Sequence, residues 1–125
     1  MRSQESLAAA TASVRAKEGF VDMVIANAGI VDPSPLPLDE PLPSSVSEFQ
    51  SAFWSMSFDS LNQVLPVNIT AVFYAVVAFL DLLDVANRRP TTSPPRPKIQ
   101  AIIVASFGGF VRNLVCSFAY VASKR

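Results

Sequence analysis

Val21-Asp22-Met23-Val24-Ile25-Ala26-Asn27-Ala28-Gly29 is the stretch on which the fold turns. Residues 21–26 form a short, nearly continuous apolar run, the pattern of a parallel strand buried on both faces. Asn27-Ala28-Gly29 then reads as a turn. A second run of the same kind, Ile99-Gln100-Ala101-Ile102-Ile103-Val104-Ala105, is apolar and β-branched and gives a strand over 99–105. It ends at Ser106, before Phe107-Gly108-Gly109. Two buried strands joined through helix are the unit of an open α/β sheet, with a crossover that is almost always right-handed. Ligands of such sheets sit beyond the carboxyl ends of the strands. Asn27, Ala28, Gly29 and Ser106 all fall at those ends.

Outward from the first strand, residues 6–17 are alanine-rich and place Leu7, Ala10 and Val14 on one helical stripe, with Gly19 as the stop. Prolines at 33, 35, 37, 41 and 43 make residues 32–43 an extended surface loop. Ser45-Val46-Ser47-Glu48 has capping-box spacing and opens a long helix over 46–83, with a kink or break expected at Pro66. Residues 69–80 are apolar apart from Thr70 and end at Asp81. Twelve residues are too few to span a bilayer, so this run reads as a buried helix. A second proline-rich loop covers 88–98, and a last helix begins near Ala119. The order is helix, strand, long helix, strand, helix start: a partial doubly wound α/β unit with parallel strands.

Composition narrows the function classes. The chain has 125 residues, enough for one domain with a modest core. Half are hydrophobic and 16% charged, and ten basic residues balance ten acidic ones. Neither a nucleic-acid footprint nor a membrane anchor is expected. With no histidine, His-based metal sites and Ser/His/Asp triads are excluded, and no metal is expected. The lone Cys116 cannot form an intramolecular disulfide and reads as an inert loop or core residue in a reducing compartment. Residues 1–6 lack the apolar core of a signal peptide, so a cytoplasmic location is expected.

The chemistry lies at the other end, in Tyr120-Val121-Ala122-Ser123-Lys124. Residues four apart share a helix face, so phenol and ammonium stand side by side. A cation there favours the phenolate, which can exchange a proton with a substrate hydroxyl or carbonyl. Alone, such a spacing is an ordinary surface pair; Ser106 alone is a strand-end residue, Asn68 alone a helix-break residue, and Asn27 alone a turn former. Their order is what counts. With Val21 to Ile30, Val67-Asn68-Ile69-Thr70, Ile102-Ile103-Val104-Ala105-Ser106 and Phe118-Ala119-Tyr120-Val121-Ala122-Ser123-Lys124, the chain resembles the short-chain dehydrogenase/reductase family along essentially its whole length.

The resemblance implies a partial Rossmann-like domain over 1–125 and hydride transfer between NAD or NADP and a small carbonyl or alcohol substrate. It implies catalytic roles for Asn68, Ser106, Tyr120 and Lys124, and a cofactor side lined by Asn27, Ala28, Gly29, Tyr120 and Lys124. It also implies a possible homo-oligomer through the helix over 46–83. Three departures stand out: Ala26 replaces a frequent first asparagine, Ala105 a frequent serine, and the stretch from Ser106 to Tyr120 is long. The four glycines, at 19, 29, 108 and 109, do not form the family's glycine-rich strand-to-helix turn that holds a pyrophosphate. The expectation is therefore a central segment of such an oxidoreductase, inactive by itself; the alternative is a non-catalytic truncated product serving as an interaction or dimerisation module.

Overall fold

The structure is a computed structural model that describes residues 3–32, 34–36, 41–90, 99–110 and 117–125. Along the chain run α1 (Gln4–Lys17), β1 (Met23–Ala26), α2 (Val46–Trp54) and α3 (Phe58–Leu65). A π-helical turn (Pro66–Thr70) follows, then α4 (Ala71–Asn87), β2 (Gln100–Ile103), a 3-10 turn (Phe107–Gly109) and α5 (Phe118–Ser123). The chain forms two compact units, Met1–Asn27 with Ala71–Val104, and Ala28–Thr70 with Ala105–Arg125.

The first unit holds α1, β1, α4 and β2. Ser3 caps α1 by accepting from the Ser6 amide, and Leu7 is its buried residue. The helix stops where Gly19 takes φ +76°, a backbone region that costs a side chain but not glycine. β1 and β2 pair in parallel, Met23 opposite Gln100 through Ala26 opposite Ile103. The ladder extends at both ends through Gln100 N–H to Asp22 O (3.3 Å) and Val104 N–H to Ala26 O (3.1 Å). α4 packs on both strands and on α1, burying Leu82, Leu83 and Ala86.

Burial departs from the sequence expectation. The strands were expected to be covered on both faces, yet only Ala26 is buried, and Met23, Ile25, Ile102 and Ile103 are exposed. A single α4 can cover one side of a two-stranded sheet and no more. The same limit applies to the run over 69–80, expected to be buried. Phe73, Val77 and Leu80 lie half a turn from Leu82 and are exposed. The run is also only part of a longer helical stretch, Phe58–Asn87, whose 30 residues are long and apolar enough to cross a membrane by length and composition.

The second unit holds α2, α3, the π turn, the 3-10 turn and α5. Ser45 caps α2 by accepting from the Glu48 amide (3.2 Å). The Glu48 carboxylate answers one residue earlier than in a regular capping box, accepting from the Ser44 amide (2.8 Å) and hydroxyl (3.0 Å). The single helix expected over 46–83 is interrupted at Ser55–Ser57. There the Ser55 hydroxyl donates to Ala52 O (2.7 Å) and Ser60 to Ser57 O (2.8 Å), while Ser57 is extended. Serine hydroxyls that bond the local backbone compete with helix continuation. At Pro66, which has no N–H to offer the preceding turn, the helix widens into the π turn. α3 packs against α5, with Val64 and Ala119 buried. The reading of Cys116 and parts of both proline-rich loops lie outside the described residues.

Two outcomes follow from this packing. Leu82 is 0% exposed and Leu80 52%; Leu82→Ala is expected to destabilise the fold by roughly 2–5 kcal/mol in urea unfolding, and Leu80→Ala by under about 1 kcal/mol. Hydrogen bonds from the Ser44 amide and then the Ser44 hydroxyl hold the Glu48 carboxyl below its ordinary value. A depressed carboxyl stabilises the folded state above its unfolded value and loses that contribution as pH falls through the folded one. The Ser44 amide resonance should therefore shift in the Glu48 titration, at a pH below that of an unfolded glutamate.

Candidate active site

Asn68 is the hub of the second unit. It sits in the middle of the π turn and is buried. Its Oδ1 accepts from the Ile30 amide (2.8 Å), and its Nδ2 donates to Ile30 O (3.0 Å) and to Ser123 Oγ (2.8 Å). One side-chain amide thus fastens the segment after β1 and the helix α5 to the same turn. Both Nδ2 protons and Oδ1 have partners, which is what a buried amide requires.

α5 is short, six residues from Phe118 to Ser123, and carries Tyr120. Ser117 precedes it as N-cap and accepts from the Tyr120 amide (3.2 Å). Lys124 ends it, its amide donating to Tyr120 O (3.1 Å) and Val121 O (3.3 Å). Lys124 is buried, and its ammonium lies against Gly29: a Cβ on Gly29 would stand 3.3 Å from Lys124 Nζ and 3.2 Å from Asn68 Oδ1. Glycine at 29 therefore lets the lysine head and the asparagine approach a backbone segment that stays exposed.

The turn after β2 closes on the same helix end. Ser106 caps the 3-10 turn, its Oγ accepting from the Gly108 amide (3.2 Å). Gly109, three residues after Ser106 and donating its amide to Ser106 O (3.0 Å), is buried against the Lys124 backbone. A Cβ there would fall 2.3 Å from Lys124 O and 2.8 Å from Lys124 C, so only glycine fits.

Of the residues singled out in the sequence, Gly29, Asn68 and Lys124 meet directly, and Tyr120 shares α5 with Lys124. Ser106 lies in the same unit at the head of the turn that touches Lys124, with its hydroxyl engaged as a cap. Ala28 is exposed beside Gly29, and Asn27, also exposed, is the last residue of the first unit. Three participants went unrecognised in the sequence: Asp32, Ser117 and Ser123. Ser117 before an apolar run is legible as an N-cap. The Ser117 hydroxyl donates to Asp32 Oδ1, a bond between distant positions that leaves no local signal.

The exposed backbone at Gly29 thus has the Lys124 ammonium and the Asn68 carboxamide oxygen beside it, at a position that carries no side chain. The family model for short chain dehydrogenase matches residues 1–125. Among curated relatives, the short-chain dehydrogenase/reductase SAT3 of Stachybotrys chartarum is 35% identical over 133 residues, covering 98% of this chain and 48% of that protein. The short-chain dehydrogenase/reductase PhomF of Diaporthe leptostromiformis is 32% identical over 122 residues, covering 98% and 40%. The chain thus spans less than half the length of these relatives.

Solved structures agree on the fold. The RhlG/NADP active-site complex of Pseudomonas aeruginosa superposes with a TM-score of 0.70 at 19% identity, covering 98% of this chain and 39% of that one. An alcohol dehydrogenase from Thermococcus sibiricus, complexed with 5-hydroxy-NADP, gives 0.64 at 21% identity, covering 98% and 40%. The expected Rossmann-like α/β class is therefore borne out. Matched from its first residue to its last, the chain belongs to the short-chain dehydrogenase family.

Proposed function

We propose that this chain carries the catalytic segment of an NAD(P)-dependent oxidoreductase acting on a small carbonyl or alcohol substrate. The observation that supports it most is the meeting of Gly29, Asn68 and Lys124 in one unit, at the helix that bears Tyr120. In this reading Tyr120 is the general acid/base: in the alcohol direction it takes the hydroxyl proton as the carbon gives up its hydride. The Lys124 ammonium favours the phenolate and reaches a ribose hydroxyl. Ser106 holds the substrate oxygen where charge develops. Asn68, fixed in the π turn, supports a water-linked proton relay to Lys124. Asn27, Ala28 and Gly29 line the dinucleotide side, and NAD or NADP, when bound, supplies or accepts the hydride.

The 125-residue chain by itself is proposed to be inactive. Among the described residues its sheet has two strands, with apolar faces open to solvent, and such a pair is a marginal scaffold. Catalysis needs groups held to roughly half an ångström. A second reading, a non-catalytic interaction module, is favoured by one observation, the exposed stripe Phe73, Val77 and Leu80 on α4. It predicts a stable complex of two copies by sedimentation, and the cytoplasm is the proposed location for either.

Titration of the chain with NADH and NADPH, beside PhomF as control, should show no saturable binding in the micromolar range; micromolar affinity would sink the inactive reading. The site assignment is tested separately by grafting this segment in place of the matching region of PhomF. Tyr120→Phe in an active graft should lower kcat/KM by about 10²- to 10⁴-fold, the usual weight of a general acid/base.

A further inference from the structure

Tyr120 is gripped at both of its backbone polar groups by serine hydroxyls. Ser117 Oγ accepts from its amide (3.2 Å), and Ser123 Oγ donates to its carbonyl (2.8 Å). Each serine is held in turn by a buried side chain. Ser123 takes its hydrogen bond from Asn68, and the Ser117 hydroxyl donates to Asp32 Oδ1. Ser117 is 1% exposed and Asp32 6%.

We infer that Asp32 is a positioning residue for Tyr120, acting through Ser117. A carboxylate only accepts, so the Ser117 proton must point at Asp32, which leaves the hydroxyl lone pairs to face the Tyr120 amide. A hydroxyl without such a partner rotates freely and holds the amide less well. Among the described residues Asp32 Oδ2 is buried without a hydrogen-bond partner. Leaving half a buried carboxylate unsatisfied is costly. The geometry gives it a task. Six residues of helix, about one and a half turns, cannot hold themselves in place. Ile30 and Asp32, two residues apart on the segment after β1, reach opposite ends of α5, Ile30 by way of Asn68 and Ser123. That segment therefore brackets the helix, and Asp32 is its N-terminal arm.

The catalytic meaning of this bracket rests on the proposed role of Tyr120; the bracket itself is tested without it. Amide hydrogen exchange is read by NMR on the 125-residue chain and on Asp32→Ala, Asp32→Asn, Ser117→Ala and the Asp32→Ala/Ser117→Ala pair. Asp32→Ala should speed exchange at Tyr120 by about fivefold or more, the weight of a weakened N-cap, with Leu61 in α3 unchanged. Asp32→Asn keeps an acceptor and should restore protection to within about twofold. The double variant should match Ser117→Ala alone, because Asp32 acts only through the Ser117 hydroxyl. An unchanged Tyr120 amide in Asp32→Ala, an equal acceleration at Leu61, or multiplying effects in the double variant would each overturn the inference. If Asp32→Ala does not fold, the isosteric pair decides: protection kept in Asp32→Asn and lost in Ser117→Ala supports the bracket, and equal loss in both refutes it. Failure of the proposed acid/base role would leave every one of these exchange results unchanged and appear instead in the Tyr120→Phe graft.

Discussion

A buried asparagine in a π turn is the constraint on which the second unit depends. Asn68 has three hydrogen bonds, two to the Ile30 backbone and one to Ser123, and each crosses between elements far apart in the chain. An α-helical turn would present a different side-chain direction at this position; the wider turn beginning at Pro66 aims it inward. Removing one partner would leave a buried amide unsatisfied, which typically costs more than the net value of the bond. The distortion, the loop after β1 and the helix carrying Tyr120 therefore stand or fall together.

Local chemistry explains which parts of this arrangement were legible in the sequence. Both strands lie within the apolar runs that announced them, because period and β-branching are properties of a few adjacent residues. Ser45 caps α2 and Gly19 ends α1 for reasons carried by single side chains. Pro66 marks a helix distortion because it lacks a donor. The cluster of Gly29, Asn68 and Lys124 was legible only as a set of motifs in order, since no single spacing among them is distinctive.

What the sequence hid were properties of the assembled layers. Apolar periodicity says which face of α4 can be buried, not whether a second layer is there to bury it; Leu82 and Leu80 are alike in sequence and opposite in environment. The interruption at Ser55–Ser57 depends on hydroxyls choosing the backbone over solvent, a balance of small energies. The bond between Asp32 and Ser117 depends on two segments arriving at one place, which no local pattern encodes.

Gly109 carries a constraint of a different kind. The space a methyl group would occupy is already taken by the carbonyl of Lys124, so main chain rests on main chain. The position of the lysine is thereby specified partly by an atom that is missing from another residue. Such a site has no side chain to hydrogen-bond, titrate or pack, and a search for functional groups passes over it. In a library of variants it would nonetheless be among the positions least tolerant of change. The map of what this chain must keep is thus larger than the map of what it uses.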